Sequence, residues 1–442
     1  MKLTRSDILN AEISVIYPSP EKKKNSRFGY SVEALSLATL IRSINKRLKY
    51  YDFSLSRYGS DFSLTSCPAK ESSKQIVFLY VDSVPLHRSS NADNAIDLSK
   101  AIKSISANTI IVACGPWCML TREKFPYADI TFFNEAEYDL LQIFNGNESS
   151  DFFIKPLLLD DLSALPIPDR ELLPIGKYDD VPAELKHSAV IQTTRGCRNR
   201  CMFCPRQAWN LRKVRHREIE SIVSELVALK NAAVRNVWID DDNMGADQEW
   251  SNKLFSAIAD INQDHKIQLF ISSEVNVAKE FFSNAKKAGV RIVSFGIESG
   301  SERMLRAIKK PSNIKLLSSA INNANNAGLF TVGNFIVGLP GESLDDLELT
   351  KRLLCDLPLD EVNIKILSYV RGAPLWDNAV EQNQTLSETS CFFSCKETGT
   401  SEFTFKELAE IQQDFYEAFK KSPSRIMRLK NKIRLLGLPY SL

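Results

Sequence analysis

The chain carries almost no surplus charge of either sign: 56 lysines and arginines stand against 54 aspartates and glutamates in 442 residues, a formal net charge of +2. No global field therefore pulls it onto nucleic acid or an acidic membrane, and no nucleic-acid partner is expected. Long apolar runs are lacking too. Nothing approaches the about 18 consecutive apolar residues of a transmembrane helix, and the opening MKLTRSDILNAEISVIYPSP has no uninterrupted apolar core of the secretory kind. A cytoplasmic protein without a transmembrane segment is expected. With 44% hydrophobic and 25% charged residues the composition is that of a globular protein with real cores, and the length implies two domains plus an appendage.

A fourth cysteine is missing where three stand together. Nine cysteines, an odd number scattered over a long chain, argue against a disulfide framework and for reduced thiols or metal ligands. Cys67 and Cys355 read as small core residues. The stretch TTRGCRNRCMFC, Thr193 to Cys204, packs Cys197, Cys201 and Cys204 into eight residues as C-x3-C-x2-C, on a loop with glycine and several arginines that would favour thiolates. Three thiolates on one short loop can hold three irons of a [4Fe-4S] cluster and leave the fourth iron open to an outside ligand. A Cys3His zinc site using His216 is the rival, although zinc ligands usually come as C-x2-C pairs and RKVRHREIE reads as a helix entry. Asp240, Asp241 and Asp242 suit either a hard cation or a solvated, helix-capping loop. Cys114 with Cys118, and Cys391 with Cys395, read as structural thiols, an auxiliary four-thiolate site being the alternative.

Residues 1–150 alternate short β-branched or aromatic runs with helical patterns. EISVIYP, Gln75 to Asp82, Asn108 to Gly115 and Ile130 to Asn134 predict buried strands; Tyr30 to Leu48 and Asn91 to Ser106 predict helices. That is a small doubly wound, Rossmann-like domain with a parallel sheet. Residues 151–188 form a connector, with four prolines between Phe152 and Pro174. Residues 189–375 repeat a strand–helix unit six times, with strands at Ala189 to Thr194, Val234 to Asp240, Lys266 to Ser272, Val290 to Ser299, Phe330 to Gly338 and Glu361 to Ser368. An α/β chain with a partial (β/α)6, TIM-like barrel follows, whose functional residues belong where strands end. Residues 376–442 read as a helical, increasingly basic extension packed on the barrel, a partner-docking or lipid-contacting helix being the alternative.

CRNRCMFC resembles the cluster motif of radical S-adenosylmethionine (radical SAM) enzymes, with Phe203 at the aromatic position before the last cysteine. DDNM at Asp241 to Met244, GIESGSERML at Gly296 to Leu305 and GNFIVGLPGES at Gly333 to Ser343 resemble later segments of that family in the expected order. The resemblance implies a [4Fe-4S] cluster on Cys197, Cys201 and Cys204. Its open iron would bind S-adenosylmethionine, which one electron cleaves to a 5′-deoxyadenosyl radical. It implies Phe203 against adenine, Glu298 and Ser299 by the ribose or methionine moiety, and Gly338 allowing backbone to approach the nucleoside. Where relatives carry a basic residue, this chain has Glu274.

The doubly wound domain ahead of the cysteine triad resembles the cobalamin-binding class of that family, Asn134-Glu135-Ala136-Glu137 standing where relatives have a Gly-Glu-Gly-Glu-like stretch. No Asp-x-His-x-x-Gly string occurs among the four histidines, and His87 in VDSVPLHRSS lacks its spacing and glycine. Cobalamin held without a protein histidine, or a domain that only scaffolds the barrel, remain open. The resemblance implies a cobalamin-dependent methyltransferase acting on an unactivated carbon of a small-molecule or natural-product substrate, with an electron donor such as flavodoxin or ferredoxin. Radical rearrangement, cyclisation or oxidation without methyl transfer, and a non-catalytic metal scaffold, are the alternatives.

Overall fold

A computed structural model describes residues 2–18, 30–53, 74–82, 91–147, 156–173, 188–209, 211–381, 392–394, 401–422, 425, 426 and 428. The chain divides near residue 187 into two compact units. No helix among the described residues is long and apolar enough to cross a membrane.

In the first unit a short helix, α1 (Arg5–Asn10), leads into β1 (Glu12–Tyr17), followed by α2 (Val32–Ile44), β2 (Lys49–Asp52), β3 (Gln75–Tyr80), α3 (Ala92–Ile105), β4 (Ile110–Cys114), α4 (Pro116–Thr121), β5 (Ile130–Thr131) and α5 (Ala136–Phe144). The strands are all parallel, in the order β2-β1-β3-β4-β5. This is a doubly wound arrangement in which the order reverses beside β1, and such sheets receive ligands outside their strands' carboxyl ends at that reversal. Continuous burial of β3 and β4 explains their unbroken apolar sequences, because helices cover both faces. One face packs α2 and α5 through Ala34, Leu37, Ile41, Leu140 and Ile143. The other packs α3 and α4 through Ala95, Leu98, Ile102 and Trp117.

Strand β2 was not expected. Its KYYD sequence lies on the sheet's edge with one exposed end, so it shows neither alternation nor an apolar run, and the helix expected through Leu48 stops at Ile44. Residues 156–173, expected as extended connector, hold only two single 3-10 turns, and Leu162 and Leu165 close over the first unit's core.

The second unit runs β6 (Ser188–Ile191), β7 (Thr194–Arg195), α6 (Arg206–Trp209), β8 (Arg215–His216), α7 (Ile219–Asn231), β9 (Asn236–Ile239), α8 (Gln248–Ile261), β10 (Gln268–Ser273), α9 (Lys279–Ala288), β11 (Val290–Glu298), α10 (Glu302–Ala307), α11 (Ile314–Asn326), β12 (Phe330–Val337), α12 (Leu344–Asp356), β13 (Glu361–Ile366), β14 (Ser368–Val370), α13 (Pro374–Glu381), β15 (Phe392–Ser394) and α14 (Phe405–Lys421). Six parallel strands in the order β13-β12-β11-β10-β9-β6 form the expected partial barrel. Each expected strand has its counterpart. Burial alternates: Leu269 and Ile271, Val293 and Phe295, Phe335 and Val337, Val362 and Ile364 face the helices in one large core. The opposite faces of β10 to β13 carry Phe270, Ser272, Ser294, Gly296, Asn334, Asn363 and Lys365, so the interior is small and polar in its middle layers rather than filled by branched side chains. Asn334 donates to Ser294 Oγ at 2.7 Å, and Asn363 donates to Asn334 Oδ1 at 3.2 Å.

Helix α14 closes the edge at β13. Leu408, Phe415 and Phe419 enter the barrel's core, while Ile364 N–H donates to Tyr416 Oη (2.9 Å) and Gln412 donates to the Ile364 carbonyl (2.5 Å). These contacts satisfy groups that an open edge strand would leave for another chain.

Candidate metal centre

The cysteine loop leaves the carboxyl end of β6 and is fixed from below by two aspartates. Asp241 Oδ1 accepts the backbone N–H groups of Thr193 (2.7 Å) and Thr194 (2.9 Å), and Oδ2 accepts both threonine hydroxyls. Asp242 accepts Gly196 N–H at 2.7 Å and pairs with Arg206 just past Cys204. The aspartates therefore turn outward to hold the loop instead of converging on a cation. Gly196 has φ +108°, and a Cβ there would collide with the Lys213 carbonyl oxygen, so this turn admits no other residue without rearrangement.

Two further backbone bonds fix the loop's far side: Met202 N–H donates to the Ile308 carbonyl at 2.9 Å, and Leu375 N–H donates to the Met202 carbonyl at 3.0 Å. Phe203 packs with Met202 against Met304, Leu339, Tyr369 and Trp376. Cys201 is buried, Cys197 and Cys204 half-buried. Arg198 and Arg200 are exposed. The arginine-rich loop thus does not surround its thiols with charge: burial pushes both Cys201 and Cys204 up to about 11, against the pull of Lys310 on the first and of Arg206 on the second. Thiols so protonated become ligands only by losing their protons to solvent as a cation binds.

His216 takes no part. Its ring lies 4.6 Å from that of Trp250 with Nε2 3.4 Å from Asp247, and it sits in the β7–β8 hairpin rather than at a helix entry. Among the described residues no three His, Cys, Asp or Glu side chains are gathered as a single bound ion would gather them. A cube-shaped cluster asks for something different, three sulfurs each facing its own iron, and three cysteines on one fixed loop, with no fourth thiol beside them among the described residues, match that donor set.

Asn243 connects the loop to the third strand. Its Nδ2 lies 3.8 Å from Cys197 Sγ and 3.0 Å from Glu274 Oε2, while its Oδ1 accepts Glu274 N–H at 2.9 Å. Asn199 also donates to Glu274 Oε2, at 3.1 Å, so the acidic residue is tied to the cysteine loop by two amides.

The other expected site residues stand at the ends of β11 and β12. Glu298 has φ +68° at an irregularity in the β11–β12 pairing and forms a buried ion pair with Lys310 at 2.9 Å. Ser299 is fully buried, its Oγ 3.2 Å from Thr350 Oγ1 and accepting Ser301 N–H at 3.1 Å, which leaves only its backbone for any ligand. Gly338, at φ +85°, has a packing reason to be glycine: an added Cβ would stand 2.8 Å from Leu408 of α14. Lys310 had no motif to announce it, and Asn243 stood in the DDNM segment without an assigned role. His87, Cys67, Cys391 and Cys395 lie outside the described residues. Cys114 and Cys118 are fully buried in separate apolar clusters, as structural thiols are.

The Gly338 turn carries a titrating group. Glu342 is buried and accepts the N–H groups of Gly338 (2.7 Å) and Leu339 (3.2 Å), and burial pushes its carboxyl up to about 7 from 4.5. A folded-state pKa above the unfolded one means that stability is complete below the unfolded value and is lost as pH rises through the folded value. Glu342→Gln, which fixes the neutral form, is expected to flatten that fall between about pH 5 and 7, removing up to about 3 kcal/mol of pH dependence. Urea midpoints of the full-length chain measure it; parallel pH profiles for both proteins would contradict it.

A parallel half-barrel with a three-cysteine loop at the end of its first strand defines an iron–sulfur class of barrel protein. Residues 191–354 match the family model described as Radical SAM superfamily, so this part of the chain is a radical SAM domain. The chain is 27% identical over 319 residues to an uncharacterized methyltransferase of Pyrococcus horikoshii, covering 66% of this chain and 68% of that protein. A putative methylthiotransferase of Methanocaldococcus jannaschii is 27% identical over 218 residues, covering 45% of this chain and 47% of that protein. Among solved structures, the radical S-adenosylmethionine methyltransferase TsrM from Kitasatospora setae, with tryptophan substrate and a SAM analogue bound, superposes with TM-score 0.67 at 14% identity, covering 85% of this chain and 78% of that one. The cobalamin-dependent S-adenosylmethionine radical enzyme OxsB, with aqua-cobalamin and S-adenosylmethionine bound, gives TM-score 0.68 at 14% identity over 92% of this chain and 66% of that one. At these identities the two structures establish the fold.

Proposed function

We infer that the chain is a cobalamin-dependent radical SAM methyltransferase acting on an unactivated carbon of a small molecule. The observation that carries this reading is the three-cysteine loop, pinned by Asp241 and Asp242 at the carboxyl end of the first barrel strand, in a chain that also contains a β2-β1-β3-β4-β5 doubly wound sheet. The cobalamin and methyl-transfer parts draw support from the methyltransferase TsrM and the cobalamin-dependent enzyme OxsB, which superpose over 85% and 92% of this chain. No Asp-x-His-x-x-Gly string occurs in the sequence, so a corrinoid there would be held without that motif's histidine.

Cys197, Cys201 and Cys204 would hold the cluster, which supplies one electron for reductive cleavage of S-adenosylmethionine. The chain's own part is to bind and orient. Backbone at Phe203 and Ser299 would contact the cofactor's nucleoside and methionine parts, together with the turn at Gly338. The polar barrel interior, with Ser294, Asn334 and Asn363, would receive the substrate. An external reductant, of the flavodoxin or ferredoxin kind, would reduce the cluster.

Anaerobic reconstitution with iron, sulfide and hydroxocobalamin, followed by turnover with S-adenosylmethionine and dithionite, tests the reading. Retained corrinoid, 5′-deoxyadenosine and S-adenosylhomocysteine are expected together. 5′-Deoxyadenosine without S-adenosylhomocysteine would instead indicate radical chemistry without methyl transfer, and neither product would leave the scaffold reading.

A further inference from the structure

Directly beside the cysteine loop lies a buried charge pair that metal ligation does not use. Lys310 follows α10, whose last turn is bonded to the loop through Met202 N–H and the Ile308 carbonyl. Its side chain is 11% exposed, and its Nζ donates to Glu298 Oε1 at 2.9 Å across the interior face of β11. The residue beneath the pair is Gly296, and a Cβ there would stand 2.7 Å from Lys310 Nζ and closer still to Glu298. The strand therefore has no side chain where the pair must lie, and Glu298 adopts a left-handed backbone conformation to reach it. Such a conformation in a non-glycine residue costs on the order of 1–3 kcal/mol, and strain of this kind clusters at functional sites.

Lys310 sits two residues beyond the carbonyl that binds the loop at Met202, so both buried charges of the pair lie beside the cysteine loop. Other charges by the loop are Glu274, held against Asn243 beside Cys197, Asp241 beneath Thr193 and Thr194, Arg206, paired with Asp242, and the exposed Arg198 and Arg200; Lys365 faces Glu298 from β13. A fixed positive charge in a poorly solvated site favours the more negative state of any redox centre beside it, and the potentials of iron–sulfur clusters follow net charge, hydrogen bonding and exposure.

We propose that the Lys310–Glu298 pair sets the reduction potential of the cluster held by Cys197, Cys201 and Cys204, with Lys310 raising it and Glu298 restraining that rise. The proposal rests on the cluster assignment above. It makes Lys310 a positioning residue for charge, acting through the cluster rather than on the substrate. Two substitutions of nearly constant volume then act in opposite directions: Lys310→Met removes the positive charge and lowers the potential, and Glu298→Gln removes the negative charge and raises it.

The test is a dye-mediated redox titration of the reconstituted full-length protein, followed by electron paramagnetic resonance of the reduced cluster, with iron and sulfide content measured on each sample. At a fixed ambient potential the ratio of reduced to oxidised cluster is expected to fall by roughly tenfold in Lys310→Met and to rise by a similar factor in Glu298→Gln, with Lys310→Arg close to the parent. A purely structural pair would shift both variants the same way, or neither, and either result overturns the proposal. If Lys310→Met fails to load a cluster, Glu298→Gln carries the test alone: a ratio that falls or stays unchanged overturns it. A parent protein that takes up no four-iron cluster would overturn the cluster assignment instead.

Discussion

Cys201→Ala is expected to abolish the iron–sulfur absorbance of the reconstituted protein and to reduce cleavage of S-adenosylmethionine to background, while the chain stays folded. Cys201 is the central thiol of the loop and the most buried of the three, and no other described cysteine stands near to replace it: Cys114 and Cys118 are buried in the first unit, and Cys355 lies on α12. Two thiolates cannot hold three irons, so the loss is expected to be complete and not graded. Removing one buried sulfur costs the fold on the order of 1 kcal/mol, less than a larger core truncation. Cys355→Ala, which touches a half-buried thiol away from the loop, is expected to load iron and sulfide as the parent does. Iron, sulfide and optical spectra on the two variants measure the contrast. Parent-like absorbance in Cys201→Ala would contradict the ligand assignment.

Asp241→Ala should be the most damaging change outside the cysteines. The carboxylate is buried and accepts from two backbone N–H groups and two hydroxyls at the point where β6 becomes the cysteine loop. Alanine would leave all four donors without a partner in a dry site, at about 1–3 kcal/mol for each buried unsatisfied group before relaxation. A net loss of about 3–5 kcal/mol is expected, along with poor iron retention, because Thr193 and Thr194, which lead into the cysteine loop, are no longer held. Asp241→Asn keeps one acceptor oxygen and should fall between the parent and alanine. Thermal unfolding of the unloaded chains and iron content after desalting measure both effects. Equal iron retention in all three proteins would show that Asp241 does not hold the loop.

The parts of the fold visible in the sequence were those where one residue's environment decides its type. The buried strands of both units show as apolar or alternating runs because helices cover them, and Gly289 ends α9 in a left-handed cap. Strand β2 escaped because an edge strand of four residues needs no distinctive pattern. The site divides along the same line. Three cysteines at fixed spacing are a local signal, so the triad was readable. Asp241 was readable as an aspartate-rich strand end but not as the loop's anchor, because its four donors lie 47 and 48 residues away. Lys310 was not readable at all: it is one lysine of an Ile-Lys-Lys-Pro run, and only the fold brings it over Gly296 to Glu298. Gly338 was read as room for a nucleoside, whereas its nearest constraint is Leu408, 70 residues on, in a helix whose docking no local pattern specifies.

The claim on which the chemistry depends is that one iron of the cluster is left for S-adenosylmethionine instead of a side chain. Electron–nuclear double resonance on the dithionite-reduced cluster, with S-adenosylmethionine labelled at its amino nitrogen and carboxylate oxygens, reads this directly. The account predicts hyperfine coupling from both labels. A mononuclear metal, or a four-iron cluster whose spectrum is the same with and without S-adenosylmethionine, would contradict it.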